Sequence, residues 1–100
     1  IIYDDPIRVA MNVIAEDNSL AIRVVKDDFC KTLLRKFRKP IVSTSANVSG
    51  KATPQSFAEI SEEIKNGVDY VVNHNQKAKR GTPSAIIKLT LDGMVKVIRE

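Results

Sequence analysis

The sequence predicts an α/β fold of the α+β kind: one twisted sheet of mixed strand direction carrying helices. Three observations lead there. Short β-branched runs alternate with helical stretches through the first part of the chain. The last part changes character, with two strand-like runs flanking Asp92-Gly93, the turn pair that favours a hairpin. No internal repeat, low-complexity tract or linker interrupts the pattern, so a single folded unit is expected.

Taken in order, Ile1-Ile2-Tyr3 reads as a short strand that begins in mid-course, followed by an irregular polar stretch. Asp17-Asn18-Ser19 is a turn, and Leu20 to Val25 follows as a buried strand on its apolar, β-branched content. Asp27 or Asp28 caps a helix in which Phe29, Cys30, Leu33, Leu34 and Phe37 recur at helical spacing, and Pro40 forces that helix to stop. Ile41 to Ser43 is expected as a short strand feeding the polar loop from Thr44 to Lys51, where Gly50 lets the backbone turn. A second helix is predicted with Thr53 as N-cap, Pro54 at its first position, Phe57, Ile60 and Ile64 on one face, and Asn66-Gly67 as its end. Asp69 to Val72 then reads as a strand, Asn73 to Pro83 as a long basic loop, and Ser84 to Leu89 with Met94 to Ile98 as the hairpin.

Composition excludes several classes. With 43% apolar and 28% charged residues in 100, the chain is neither disordered nor fibrous. No apolar run approaches the ~20 residues of a membrane span, and the first residues lack the form of a secretory signal, so a cytoplasmic location without membrane attachment is expected. One cysteine, Cys30, and one histidine, His74, make neither a disulfide nor a zinc set, and no metal ligands are assigned. Stability therefore has to come from packing. The net charge of +4 points toward an anionic partner without choosing among them.

The segment from Lys39 to Gly50, Lys-Pro-Ile-Val-Ser-Thr-Ser-Ala-Asn-Val-Ser-Gly, resembles the KPlvsTSANxSG signature of the Sua5/YrdC/YciO family. Ala21 to Val24 is similar to that family's vxvRvP strand, Gly81 to Ile87 to its GxPSTIv segment, and Val97-Ile98-Arg99 to its closing iiRxG. The four blocks occur in the family's order and reach from about residue 20 to the end. A Lys-x-Arg motif and a Pro-Gly-Pro-x-Thr turn, which family members carry upstream, are not found. Together with the absence of an initiator methionine, this predicts a YrdC-like domain over residues 1–100 that is incomplete at its N-terminus.

The resemblance implies threonylcarbamoyl-AMP synthase activity, in which L-threonine, bicarbonate and ATP form threonylcarbamoyl-AMP and pyrophosphate. Mg2+ accompanies the nucleotide, and a transferase system passes the product to transfer RNA. Ser45 and Asn47 match the Ser-x-Asn element that binds phosphates, where hydroxyl and amide groups donate to phosphate oxygens; alone, Ser-Ala-Asn would read as an ordinary turn. Arg23, in its strand, is expected to direct a guanidinium at a phosphate, the alternative being a structural pair with Asp27 or Asp28. Ser84 is expected near threonine or ATP, and Arg99 near the nucleotide unless it frays as a terminal residue. Ala85 stands where the family usually has threonine, and Val25 where many members have Pro or Thr. The catalytic group is left unassigned. Without the upstream cations the chain alone is expected to be inactive, since losing one such electrostatic donor costs about a hundredfold or more in rate.

His74 reads as a solvated loop residue and Cys30 as a small hydrophobe on a core-facing helix stripe. Lys31, Arg35 and Arg38, and Lys77, Lys79 and Arg80 in the long loop, form basic groups that are commonly solvated but would also suit RNA. A double-stranded RNA-binding module is thus one rival reading, and a related carbamoyl-adenylate-forming domain is another. The three phenylalanines are expected in the core, leaving no stacking platform for single-stranded RNA.

Overall fold

The computed structural model describes residues 1–100. The chain divides into two compact units, one formed by residues 1–42 with 83–100 and the other by residues 43–82. The first holds a four-stranded sheet. Its strands are β1 (Ile2–Asp4), β2 (Ser19–Ala21), β3 (Ile86–Leu89) and β4 (Val95–Arg99), in the spatial order β2-β1-β3-β4. β1 pairs antiparallel with β2 and parallel with β3, and β3 pairs antiparallel with β4. This mixed sheet, with two helices, is the α/β class read from the sequence.

The closing hairpin follows its turn chemistry. Gly93 sits at φ +83°, a left-handed conformation that favours glycine, and its N–H donates to the Thr90 carbonyl at 3.0 Å. The Asp92 carboxylate accepts from the Met94 N–H at 3.3 Å and from the Thr90 hydroxyl, and the hydroxyl contact holds its pKa below the ordinary 3.8.

Helix α1 (Asp28–Phe37) is built as its sequence dictates. The Asp27 carboxylate accepts the Cys30 N–H at 2.9 Å, and Arg38 ends the helix in the left-handed conformation at φ 62°. The predicted strand from Leu20 to Val25 is shorter than expected, ending at Ala21. Beyond it, Ile22 and Ile1 still exchange two bonds, of 2.7 and 3.0 Å, and Arg23 lies in irregular backbone.

Three other expectations are corrected. Ile41 to Ser43 and Asp69 to Val72 are not strands. Their β-branched residues suit the sheet, but neither segment is paired with a strand, the Val72 carbonyl accepting instead from the Gln76 side-chain amide at 3.0 Å, and Val42 and Tyr70 remain largely exposed. The helix predicted from Thr53 is broken into a single 3-10 turn at Phe57–Glu59 and helix α2 (Glu62–Gly67). Ser56 is extended and forms a bridge with Lys79, and Ile60 is extended as well. The helix restarts only where the Ser61 hydroxyl caps the Ile64 N–H at 3.4 Å. Thr53 is therefore not an N-cap.

The expected core does not close. No hydrophobic side chain in the chain is buried, and the buried residue is a polar one, Ser19. Phe29, Leu33 and Phe37 on the apolar stripe of α1 remain 38%, 44% and 52% exposed, so the phenylalanines do not occupy core positions. A helix stripe is buried only when a second apolar surface lies against it, and periodicity records the stripe without recording its partner.

Candidate functional site

The second unit contains the polar loop that follows Ile41 and Val42. Its turn is set by Gly50 at φ +81° and by the Lys51 N–H, which donates to the Val48 carbonyl at 2.9 Å. The Asn47 amide ties the loop together, its Nδ2 donating to the carbonyls of Val48 at 3.1 Å and Lys51 at 3.0 Å. Both amide donors are thereby spent inside the loop. Asn47 Oδ1 is buried with no hydrogen-bond partner, so the group it leaves over is an acceptor.

Ser45 lies on the other side of the same loop, in the wall of an open concavity of about 480 Å³. The walls carry the hydroxyls of Thr44, Ser45, Thr53 and Ser56 together with Lys79 and Arg80, and no aspartate or glutamate. Backbone pairing brings these distant segments together. Ser56 bridges Lys79, and the Arg80 N–H donates to the Gln55 carbonyl at 2.7 Å. A smaller concavity of about 270 Å³ opens beside Asn47, with Lys51, Glu59 and Glu63 in its walls.

The remaining sequence-predicted residues belong to the first unit. Arg99 ends β4, and its Nε and Nη2 both donate to the Ser84 carbonyl, at 3.0 and 2.6 Å. The structure thus brings Ser84 and Arg99 together. Arg23 is exposed in irregular backbone beyond β2, not within a strand, and its charge bears on the Cys30 thiol. Burial, and then the Asp27 carboxylate, raise that thiol's pKa above its ordinary value, so Cys30 is a poor nucleophile at neutral pH. Sequence reasoning singled out Lys79 and Arg80 as a basic group that would suit RNA but missed that they meet the segment of Gln55 and Ser56. They sit more than twenty residues from the segment they meet, and a basic run in a polar loop carries no mark of its partner.

The Sua5/YciO/YrdC family model, described by the words telomere recombination, matches residues 1–100. The chain belongs to this family. Among curated Sua5/YciO/YrdC relatives, a Pseudoalteromonas translucida protein named threonylcarbamoyl-AMP synthase is 35% identical over 78 residues, 78% of this chain and 41% of that protein. A Serratia proteamaculans protein of the same name is 46% identical over 47 residues, 47% of this chain and 25% of its own length. A Methanocaldococcus jannaschii protein is 41% identical over 58 residues, 58% of this chain and 28% of that protein. The chain thus spans well under half the length of the relatives it matches. No solved structure matches it. No helix is long and apolar enough to cross a membrane.

Proposed function

We propose that this chain is part of a threonylcarbamoyl-AMP synthase, which joins L-threonine, bicarbonate and ATP in the cytoplasm and supplies a transferase system that modifies transfer RNA. Besides the names of its relatives, one observation carries the reading. The signature loop places Ser45 in a concavity with two cations and no carboxylate, an environment suited to phosphate oxygens.

In the reaction, the threonine amine attacks the bicarbonate carbon, and as the C–N bond forms a C–O bond breaks and water leaves, giving a carbamate. A carbamate oxygen then bonds to the α-phosphorus of ATP as the bond between α-phosphorus and the bridging oxygen breaks, and the electron pair departs with pyrophosphate. The role proposed for Ser45 is to donate to the phosphates. Asn47 holds the loop that presents Ser45 and keeps Oδ1 for a donor such as an amine or hydroxyl. Arg99, turned onto the Ser84 carbonyl, keeps its charge and its remaining N–H groups for the nucleotide, as does Arg23. Ser84 offers its hydroxyl to threonine or ATP.

No group of three or more His, Cys, Asp or Glu side chains converges in the chain. Mg2+ would travel with the nucleotide, held by its phosphates. No observation favours the RNA-binding reading.

The test is pyrophosphate release from ATP in bicarbonate buffer by the intact protein. Release should require threonine and fall about a hundredfold or more in Ser45→Ala. Absence of threonine-dependent release from the intact protein would sink the proposal.

A further inference from the structure

The geometry points to Lys79 and Arg80 as the residues that select a pyrophosphate group, whether free or as the β- and γ-phosphates of a nucleotide, in the concavity beside Ser45. This rests on the nucleotide reading above and adds to it two residues that lie outside the signature loop.

The first ground is how the pair is held. The Lys79 backbone bridges Ser56 and the Arg80 N–H donates to the Gln55 carbonyl at 2.7 Å, while the Ala78 N–H closes the preceding turn on the Asn75 carbonyl at 3.0 Å. The backbone of both cations is thus pinned to a segment whose own side chains, from Thr53 to Ser56, form part of the same concavity. Lys77, two residues earlier, is not in its walls.

The second ground is charge. Four hydroxyls are neutral donors and suit a phosphate monoester, whereas two cations offset most of the three or so charges of a pyrophosphate, the neighbouring Glu59 carboxylate being engaged by the Gln55 N–H at 2.7 Å. The third is spacing. Lys79 and Arg80 are adjacent in the chain and both contribute to the walls, so an elongated anion has two cations to meet. The volume of about 480 Å³ falls within the range of small-molecule sites.

The experiment is calorimetric titration of the intact protein with inorganic pyrophosphate and, separately, with AMP. The variants are Lys79→Ala/Arg80→Ala, Lys79→Arg/Arg80→Lys, and Lys77→Ala. The double alanine variant should bind pyrophosphate about tenfold or more weakly, with a shallower salt dependence, while AMP affinity changes less than about twofold. The charge-preserving variant should keep most of the pyrophosphate affinity, and Lys77→Ala should match the parent. If the parent binds both ligands and the double alanine variant binds pyrophosphate equally well, or loses both ligands alike, the selectivity assigned here is wrong while the nucleotide reading stands. If the parent binds neither ligand, the nucleotide reading fails and takes this inference with it.

Discussion

Lys88 of β3 reaches two carboxylates, Asp4 of β1 at 3.4 Å and Asp17 of the turn before β2 at 3.2 Å, and so ties three segments of the sheet. Asp17 also accepts from the Ser19 hydroxyl at 2.6 Å and from its N–H at 3.2 Å. The Ser19 hydroxyl, then Lys88, hold the Asp17 pKa below 3.8, and Asp17 holds the Lys88 pKa above 10.5. The signs define a window. Asp17, depressed on folding, contributes stability that is complete above its ordinary value and lost as pH falls through its lower folded value. Lys88, raised on folding, contributes stability that is complete below its ordinary value and lost as pH rises through its higher folded value. The urea midpoint of Lys88→Met should therefore fall short of the parent's by a constant margin between about pH 4 and 10, and the margin should shrink at both extremes. A margin that does not change at either end would show that the ion pairs contribute nothing.

Helix α1 is the element whose local sequence and observed ends agree best. Asp27→Ala removes the acceptor for the Cys30 N–H and should cost about 1 kcal/mol. Arg38 is instead a non-glycine residue held at φ 62°, where its N–H closes on the Leu34 carbonyl at 2.8 Å. Arg38→Gly should relieve that conformation and stabilise by about 1 kcal/mol, because only the Cβ opposes it. Thermal melts of both variants check the pair, and a loss on Arg38→Gly would mean that the arginine side chain contributes more than its backbone costs. The segment from Thr53 shows the opposite case. Thr53-Pro54 carries a strong start signal, yet the backbone of Gln55 and Ser56 is drawn into extended pairing with Lys79 and Arg80, and the Gln55 N–H is satisfied by Glu59 Oε2 at 2.7 Å instead of by a Thr53 cap. That pairing is also what builds the concavity.

At the scale of the molecule, two separate compact units of sixty and forty residues would together expose roughly 6,800 Å². The chain exposes 8908 Å², and its surface includes the stripe of α1 and the residues of β4, among them Val95 and Val97. The excess of about 2,000 Å² compares with the area that obligate interfaces cover, and the relatives it matches are more than twice as long as the segments matched. The 100-residue chain on its own should therefore bind a hydrophobic dye such as ANS strongly and unfold over a broad range of urea. A sharp two-state transition without dye binding would show that the apolar faces close on each other in solution.

The sequence by itself determined what lies within a few residues: a cap at Asp27 or Asp28, the halt before Pro40, the Asp92-Gly93 hairpin, the Gly50 turn, and the signature loop that marks the family. Each depends on dihedral preference or on a hydrogen bond to a near neighbour, and these are written in adjacent residue types. Only the tertiary structure decided which β-branched runs became strands, because a strand exists where another backbone accepts its bonds, and Ile41 to Ser43 found none. It also decided that Lys79 and Arg80 join Ser45, and that the apolar stripe of α1 stays open. Those outcomes depend on what lies opposite, and the residues opposite are far away along the chain.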